Sequence, residues 1–459
     1  MEMVELYGRY YGNQSRSIAS QQALKRSILS TLIIAMRIEK FQIEEHNHQL
    51  EAEHRQRFEF AAIQHRNIRD ILDKLVTFQV AIPSWALGCG GTRFGRFSGG
   101  GEPASLEEKI SDVGLLHALN KSSGAISLHI PWDIPENPSA TKALAAENGL
   151  VFDAMNSNTF QDQPGQAYSY KFGSLQHVNK KVRKQAINHN LEVIRYGIEL
   201  GSCALTVWLS DGSCFPGQLN FRKAFKNTLE SLEEIYAAIP DHWKLLLEYK
   251  AYEPNFYSTT VADWGQSLLY TGKLGKKAFT LVDLGHHLPN ANIEQIVALL
   301  LMEGKLGGFH FNDSKYGDDD LTVGSIRPYQ LFLIFNELVE GMDARKMDHA
   351  RDLGWMIDAS HNVKDPLEDL LQSVEAIMIA YTQALLVDRQ KLVEAQSAND
   401  VVAAQELLQD AFRTDTRPIV AEARRMAGAA LDPLALYRKL RVREYLIAER
   451  GSQTVATGL

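Results

Sequence analysis

Residues 310–321, with the sequence HFNDSKYGDDDL, combine one histidine, one asparagine and four aspartates within twelve positions. They follow the apolar, glycine-containing stretch LGGF at 306–309. Repulsion between close carboxylates costs free energy unless a cation offsets it, and mixed clusters of histidine and aspartate suit divalent metals. The segment therefore raises the hypothesis of a metal site, which the remainder of the chain has to support.

Residues 77–393 alternate between two kinds of hydrophobic periodicity. Short β-branched or aromatic stretches are each followed by a polar or glycine-rich loop and then by a helical period. Strands are predicted at 77–81, 126–130, 150–155, 204–209, 244–249, 279–284, 308–312 and 354–358. Helices are predicted at 106–120, 139–147, 177–200, 219–238, 261–273, 292–304, 326–345 and 366–393. Eight such alternations predict an α/β fold of the (β/α)8 TIM barrel type, with an open doubly wound sheet as the main alternative.

Helical segments are predicted on both sides of this barrel. Between residue 15 and about residue 75, apolar residues recur at spacings of three and four without a proline, which predicts an N-terminal helical extension. Residues beyond 393 are predicted to form further short helices with a frayed tail at 451–459. The domain assignment is therefore an N-terminal extension at 1–75, a catalytic barrel at 76–393 and a C-terminal helical segment at 394–459.

The composition argues against several classes of protein. Of 459 residues, 45% are apolar and 23% charged, as in ordinary soluble proteins, and a formal net charge of −8 gives no electrostatic reason to expect nucleic acid or an acidic membrane as a partner. Cys89, Cys203 and Cys214 form no CxxC pair, so a cytoplasmic location is the simplest expectation. The apolar stretch 28–38 is interrupted by polar residues and is too short to span a bilayer, so neither a signal peptide nor an anchor is expected.

The residues able to do chemistry follow nearly every predicted strand. A barrel collects the carboxyl ends of its strands at one rim, so side chains far apart in the sequence are expected to converge there. In chain order they are His129, Trp132, Asn156, Asn158, Trp208, Asp211, Glu248, Lys250, Asp283, His286, His287, His310, Asp313, Asp318, Asp320, Asp358 and His361. Because side chains alternate along a strand, Glu248 and Lys250 are expected to point to the same side.

Each of these residues also has a purely structural interpretation. His310 alone would be a hydrogen-bonded core histidine, Glu248 with Lys250 a structural ion pair, and the run 318–320 a solvated loop. One site explains the whole set, whereas the structural interpretations must all hold independently. Carboxylates and imidazoles without thiolates favour manganese, magnesium, cobalt or zinc, and the ligands are numerous enough for two ions.

Two further features bear on the substrate. The glycine-rich stretch 88–101 lacks the spacing of a phosphate-binding loop, so it is predicted to be a flexible lid or a subunit contact with Phe94 or Phe97 as an apolar plug, or else a plain loop. Tryptophans beside metal ligands suit a polyhydroxylated neutral molecule, because aromatic faces pack on the C–H faces of a sugar while polar groups hold its hydroxyls. These features favour carbohydrate isomerisation.

Five blocks of the sequence resemble L-rhamnose isomerase of the broad-specificity, manganese-dependent bacterial branch. They are LHIPWD (128–133), EYKAYEPNFYSTTVADWG (248–265), LVDLGHHLPN (281–290), HFNDSKYGDDDL (310–321) and MIDASHNVKDPLEDL (356–370). The resemblance extends from about residue 60 to beyond residue 430. It implies a (β/α)8 barrel and usually a homotetramer. It also implies two divalent ions per subunit, with Mn²⁺ expected and Co²⁺, Mg²⁺ or Zn²⁺ as substitutes.

The resemblance also implies a role for each candidate residue. A structural ion would be held by Glu248, Asp283, His310 and Asp358. A catalytic ion would be held by His286, Asp318 and Asp320. The sugar would be lined by His129, Trp132, Trp208, Lys250 and Asp358, and Phe94 would cover the site of a neighbouring subunit.

The expected reaction interconverts L-rhamnose and L-rhamnulose, and other aldoses of related structure, by moving hydrogen between C2 and C1. Two routes stay open: a hydride shift with Lys250 stabilising charge on oxygen, and an enediol route with Asp318, Asp320 or His129 as the base. The alternatives are a metal-dependent epimerase like the ketose 3-epimerases, which typically use one metal and a pair of glutamates, and a non-catalytic sugar-binding protein. Asp358, in place of a glutamate after the eighth strand, argues against the epimerase.

Overall fold

Eight short parallel strands close into a barrel within the residues that the structure describes. This computed structural model describes residues 36–65, 67–88, 97, 99–209, 215–253, 259–359 and 363–454. The strands are β1 (Ala81–Pro83), β2 (Ala125–Ile130), β3 (Val151–Ser157), β4 (Ala204–Trp208), β5 (Lys244–Glu248), β6 (Ala278–Asp283), β7 (Leu306–Phe311) and β8 (Gly354–Ile357). Each strand pairs with the next, and β1 also pairs with β8. The predicted (β/α)8 TIM barrel is confirmed.

Helices surround the barrel and continue beyond it. Before the barrel lie α1 (Lys40–Gln64) and α2 (Ile68–Thr77). The helices between and after the strands are α3 (Leu106–Asn120), α4 (Pro138–Glu147), α5 (Lys180–Leu200), α6 (Phe221–Ala238), α7 (Trp264–Leu274), α8 (Ile293–Met302), α9 (Pro328–Ala344) and α10 (Pro366–Leu385). The C-terminal helices are α11 (Arg389–Ser397), α12 (Val401–Arg413), α13 (Arg417–Met426), α14 (Pro433–Lys439) and α15 (Val442–Arg450). The chain divides into two units, Met1–Arg37 and Ile38–Leu459, and all of these elements belong to the second.

Local capping signals explain why the barrel helices begin where they do. A side chain that precedes the first helical residue accepts a hydrogen bond from a backbone N–H of the first turn at Ser105, Asn137, Asn179, Asn220, Asp263, Asn292 and Asp365. Such caps satisfy donors that have no partner within the helix. They also place each helix start at the end of a loop that leaves the carboxyl-terminal rim of the barrel.

The first strand is not where the sequence predicts it. The prediction is 77–81, but Thr77 is the last residue of α2, and β1 begins at Ala81. The residues before the strand continue a helical face that buries Ile71 and Leu75. A short apolar run does not by itself distinguish the end of a helix from a strand.

Two long helices predicted from periodicity are interrupted in the structure. In the described part of the N-terminal extension, α1 ends at Gln64 and α2 begins at Ile68. The helix predicted at 366–393 ends at Leu385, and α11 begins after Asp388, which accepts a hydrogen bond from the Lys391 N–H. In the described part of the chain, no single helix is long and apolar enough to cross a membrane, although α10 and α11 together, bent by 65°, meet that criterion by length and composition.

The alternation of side chains along the strands sets an apolar floor beneath the rim. Leu246 and Leu281 pack with Ala154 inside the barrel. Glu248 and Asp283 each lie two positions after one of these leucines, so their side chains share the same interior face. The two carboxylates therefore stand above a water-poor layer, in which electrostatic interactions are stronger than in solvent.

The two glycines of the LGGF stretch allow β7 to approach its neighbours closely. A Cβ atom on Gly308 would lie 2.6 Å from the carbonyl oxygen of Gly354 in β8, and one on Gly307 would lie 2.7 Å from Phe279 Cβ in β6. Side chains at these positions would push β7 away from the adjacent strands. His310 would move with the strand, which is why small residues precede it.

Asp365 ties the C-terminal helices to the barrel. It caps α10 by accepting hydrogen bonds from the first-turn backbone, and it accepts a further one from the Tyr437 hydroxyl at 2.8 Å. The Arg443 guanidinium donates to both of its oxygens at 2.9 and 2.8 Å. Burial alone would raise the pKa of Asp365, but the hydrogen bonds and the charge of Arg443 outweigh burial and lower it.

We expect Asp365→Asn to remove a stabilising contribution that exists only while the carboxylate is ionised. The pKa in the folded state is lower than the unfolded value of about 4. The contribution is therefore present above about pH 4 and is lost as the pH falls through the folded-state pKa. Thermal unfolding of both proteins should show a Tm difference that is largest near neutral pH and narrows in acid. A difference that did not change with pH would contradict this assignment.

Candidate active site

Four predicted ligands converge at the carboxyl-terminal rim of the barrel. Glu248 and Asp283 are the last residues of β5 and β6, His310 lies one residue before the end of β7, and Asp358 directly follows β8. Glu248 Oε1 lies 3.1 Å from His310 Nδ1. The same Nδ1 lies 3.8 Å from Asp283 Oδ2 and 3.7 Å from Asp358 Oδ2. Four separate strands thus bring their donors to one point.

His286 joins this cluster from the loop that follows β6. Its Nδ1 lies 3.1 Å both from Glu248 Oε1 and from the carbonyl oxygen of Tyr249. Its Nε2 lies 3.2 Å from Asp318 Oδ1 and 3.9 Å from Asp283 Oδ2. One imidazole therefore connects the rim carboxylates with the acidic segment 310–321.

The cluster has the geometry and the donor types of a cation site. In the described part of the chain, two groups place one ligand atom from each residue within 4.8 Å of one another: Glu248, Asp283 and His286, and Asp283, His310 and Asp358. Asp283 is common to both. Its Oδ1 accepts hydrogen bonds from the Gly285 N–H and from Asn312, whereas its buried Oδ2 has no hydrogen-bond partner among the described residues. A cation would satisfy this oxygen, and oxygen with imidazole nitrogen suits a divalent ion.

Burial and mutual repulsion perturb the ionisation of the cluster. Burial is the main cause that raises the pKa of Asp283 to about 6, and repulsion from Glu248 and Asp358 adds to it. Burial would lower the pKa of His310, but attraction to Glu248 outweighs it and raises the pKa to about 9. Burial would raise the pKa of Glu248, but His310 and His286 hold it below its ordinary value. The protein thus offsets its buried carboxylates with imidazole protons, which a divalent ion would displace.

Lys250 pairs with a carboxylate of the acidic segment 310–321. Its Nζ contacts Asp318 and donates to Glu253 Oε2 at 2.6 Å, and the three side chains are at most 3% exposed. The ammonium also lies 5.0 Å from the centre of the Trp208 ring. The loop turns back towards β6, because Asp318 adopts a left-handed φ of 53° and its N–H donates to the Gly285 carbonyl. Glu253 is not among the candidates predicted from the sequence, although it lies within the block 248–265.

The other aspartates of this loop occupy different environments. Asp320 is buried and has a left-handed φ of 49°, but it belongs to neither group of potential ligands. Its role at a metal stays a prediction. Asp313 Oδ2 accepts hydrogen bonds from the backbone N–H groups of Ile326 and Arg327 at 2.7 and 2.9 Å. The carboxylate of Asp313 therefore organises the loop.

An aromatic wall stands beside the cluster. The cavity that contains Glu248, His286, His310 and Asp358 is also lined by the aromatic rings of Trp85, His129, Phe160 and Trp208. The ring centres of Phe160 and Trp208 are 4.6 Å apart, and those of His129 and Phe160 are 5.7 Å apart. Burial, with a smaller effect of His189, lowers the pKa of His129 to about 3, so its imidazole is neutral at physiological pH. Neutral polar and aromatic groups suit an uncharged polyol.

Two residues of this wall, Trp85 and Phe160, are not identified by the sequence analysis. Trp85 lies two residues after β1, and its Nε1 donates to Asp358 Oδ1 at 2.9 Å. Because the first strand is predicted at 77–81, Trp85 is not among the residues expected at a strand end. Phe160 lies three residues after β3 and carries no group that signals chemistry. Trp132 packs on His129 with ring centres 4.9 Å apart but does not line the cavity.

His287 supports the site from behind. Its Nε2 lies 2.6 Å from the Tyr249 hydroxyl. Tyr249 directly follows Glu248, and His287 directly follows His286. Burial lowers the pKa of His287 to about 4. This contact fixes the position of Tyr249, whose backbone carbonyl in turn contacts His286. Phe94, Asp211 and His361, together with most of the glycine-rich stretch, lie outside the described residues.

Comparison with known proteins agrees with this architecture. The family model described as "Xylose isomerase-like TIM barrel" matches residues 123–354. A "Probable sugar isomerase" of Rhizobium meliloti (strain 1021) is 53% identical over 377 residues, which are 82% of this chain and 87% of that protein. A protein of the same description from Mesorhizobium japonicum is 53% identical over 387 residues, which are 84% of this chain and 89% of that protein. The solved structure of L-ribulose 3-epimerase matches with a TM-score of 0.50 and 15% identity over 70% of this chain and 99% of its own, a likeness of fold.

Proposed function

The chain belongs to the xylose isomerase-like TIM barrel family, and on that premise we propose that it interconverts L-rhamnose and L-rhamnulose as a metal-dependent aldose–ketose isomerase. The observation that carries the proposal is the convergence of Glu248, Asp283, His286, His310 and Asp358 beside an aromatic wall. We propose Mn²⁺ as the native ion, with two ions per subunit, and a homotetramer as the assembly. Light scattering would test the number of subunits, and elemental analysis would test the number of ions per subunit.

The residues of the site divide the work between binding and proton transfer. Glu248, Asp283 and their neighbours would hold a divalent cation, which when bound would polarise the sugar oxygens. Trp208 and Phe160 offer apolar ring faces to the C–H face of the sugar, and the neutral His129 offers a hydrogen-bonding group. These contacts hold the open chain of the aldose and exclude water.

In the proposed reaction, Lys250 stabilises negative charge on the substrate and Asp318 transfers a proton. The buried ammonium of Lys250, held by two carboxylates, stabilises negative charge that grows on a substrate oxygen. Asp318 contacts both Lys250 and His286, so its carboxylate is suited to hold the proton that moves between O2 and O1. Hydrogen reaches C1 either directly from C2 or through an enediol formed by such a base.

Deuterium at C2 of L-rhamnose distinguishes the two routes. Retention of the label at C1 of L-rhamnulose, measured by NMR in ordinary water, is the result expected for a hydride shift. Complete replacement by solvent hydrogen would establish the enediol route. Incubation with L-rhamnulose alone tests the reaction class, because an epimerase would form a second ketose without any aldose, and a binding protein would form no product.

Metal removal is expected to abolish turnover and to lower thermal stability. A ligand that binds only the native state stabilises it by about 2.7 kcal/mol at a hundredfold excess over Kd. Treatment with a chelator should therefore eliminate the formation of L-rhamnulose and lower Tm, and added MnCl₂ should restore both. Full activity in protein shown to be metal-free by mass spectrometry would contradict the proposed function.

A further inference from the structure

Asp133 is a buried carboxylate next to the aromatic wall that the proposed mechanism does not use. Its Oδ1 accepts a hydrogen bond from Lys109 Nζ at 2.6 Å. Its Oδ2 accepts one from the His129 N–H at 2.8 Å and another from the Ser84 hydroxyl. The side chains of Lys109 and Asp133 are each 1% exposed. Three donors therefore meet one carboxylate in a site that solvent does not reach.

The three donors come from three different elements. Ser84 begins the short 3₁₀ turn Ser84–Ala86 that follows β1, His129 lies in β2, and Lys109 lies in α3. The Asp133 N–H also donates to the His129 carbonyl at 3.0 Å, so the chain makes a turn at the end of β2. Asp133 thus connects the ends of two adjacent strands with the helix between them.

Two of these donors are linked to the cavity: His129 lines it, and Ser84 is next to Trp85, which also lines it. Ser84 immediately precedes Trp85, whose indole N–H donates to the candidate ligand Asp358. The ring of His129 meets that of Trp85 edge to face, with centres 5.2 Å apart and planes inclined by 62°. A change at Asp133 would therefore displace both rings relative to the metal cluster.

Stability alone gives little reason for this arrangement. The desolvation of a buried ion pair often exceeds the attraction between its charges, and apolar replacements of similar volume are frequently neutral or stabilising. What a buried carboxylate with three donors provides is a defined geometry. We propose that Asp133, paired with Lys109, is a positioning residue that holds Trp85 and His129 in the arrangement that sugar binding requires. The kinetic part of this inference rests on the proposed function.

The substitution Asp133→Asn tests the proposal against a matched control. Asp112→Asn removes another buried carboxylate on the same helix as Lys109, but Asp112 accepts its hydrogen bonds from Arg450. We expect Asp133→Asn to raise KM for L-rhamnose and to lower kcat/KM by about a hundredfold, the loss typical of a displaced binding group. Metal content in saturating MnCl₂ should be unchanged, because no candidate ligand is replaced. Asp112→Asn should lower Tm and leave the kinetics of the folded protein as they are.

The position of Trp85 can be followed without any assay of turnover. In protein labelled with 5-fluorotryptophan, the ¹⁹F resonance that disappears in Trp85→Phe reports this ring. That resonance should shift in Asp133→Asn and stay in place in Asp112→Asn. Ser84→Ala leaves the ion pair of Lys109 and Asp133 intact and should shift the Trp85 resonance in the same direction by a smaller amount. This variant replaces Asp133→Asn as the test if Asp133→Asn does not fold.

The outcomes separate this inference from the proposed function. Equal behaviour of Asp133→Asn and Asp112→Asn in the resonance and in KM would overturn the positioning role. An unchanged Trp85 resonance in Ser84→Ala and in Asp133→Asn would overturn it as well. If the wild-type protein forms no L-rhamnulose, the proposed function fails, and the fluorine resonance still decides whether Asp133 positions the wall.

Discussion

Asp283→Asn is expected to remove bound metal and to lower kcat/KM for L-rhamnose by about a thousandfold or more, equivalent to about 4 kcal/mol of transition-state stabilisation. Asp283 is the residue shared by both groups of potential ligands. Its Oδ2 is buried without a hydrogen-bond partner among the described residues, so a cation is the partner that it fits. The amide of asparagine keeps the size of the side chain but carries no charge, which weakens any site that depends on it.

The stability of the metal-free protein provides the accompanying readout. Burial, together with repulsion from Glu248 and Asp358, outweighs the attraction of the imidazoles and raises the pKa of Asp283, so removal of its charge should leave Tm in chelator unchanged or raised. The increase in Tm on addition of MnCl₂ should disappear. Asp241→Asn is the control, because its side chain is fully exposed near Lys277, before β5 and away from the rim. Normal metal content and normal activity in Asp283→Asn would refute the assignment of the metal site.

Arg450→Met is expected to lower the free energy of unfolding by about 3–5 kcal/mol, the usual cost of leaving a buried charge without its partner. Both terminal nitrogens of Arg450 donate to Asp112 at 2.8 Å, and the two side chains are 7% and 1% exposed. Burial raises the pKa of Asp112 despite the guanidinium. Without Arg450, this carboxylate has to be protonated or exposed to solvent. Urea unfolding measures the effect.

Arg438→Met provides the matched exposed pair. Arg438 also binds a carboxylate through two nitrogens, at 2.7 and 2.6 Å from Glu368, but its side chain is 62% exposed. Solvent screens such pairs, so the loss of stability should be far smaller. The double variant Asp112→Leu/Arg450→Met should recover most of the stability lost in the single variant. If the buried and exposed arginines proved equally costly, burial would not be the cause.

Local signals in the sequence were sufficient where they act over a few residues. Helix α3 is predicted and observed at 106–120, because its helical periodicity lies within the segment, and the structure adds a cap at Ser105. The same holds for most strand ends, and hence for the identification of Glu248, Asp283 and His310 as rim residues. The predicted position of the first strand was wrong, because β1 is three residues long and closely follows α2. Trp85 was overlooked as a consequence.

Contacts between loops could not be read from the sequence. Lys250 was expected beside Glu248, and the structure adds its partners Glu253 and Asp318. The contact with Asp318 depends on how the loop after β7 turns back. Asp313 and Asp318 are the same residue type in the same segment. The first is held by the backbone of its own loop, whereas the second reaches Lys250 and His286. The difference arises from left-handed backbone angles and from the neighbouring loop, which no spacing rule specifies.

By itself, the amino-acid sequence determined the alternation of eight strands and eight helices and the placement of acids and imidazoles at strand ends, because these features are written in local periodicity and capping. Only the tertiary structure decided that Asp283 belongs to both groups of potential ligands, that Trp85 reaches Asp358, and that Asp133 joins three elements. Those relations depend on the distances between strands after the barrel has closed. Closure is a property of the whole chain, since β1 meets β8 only when every intervening strand is in place.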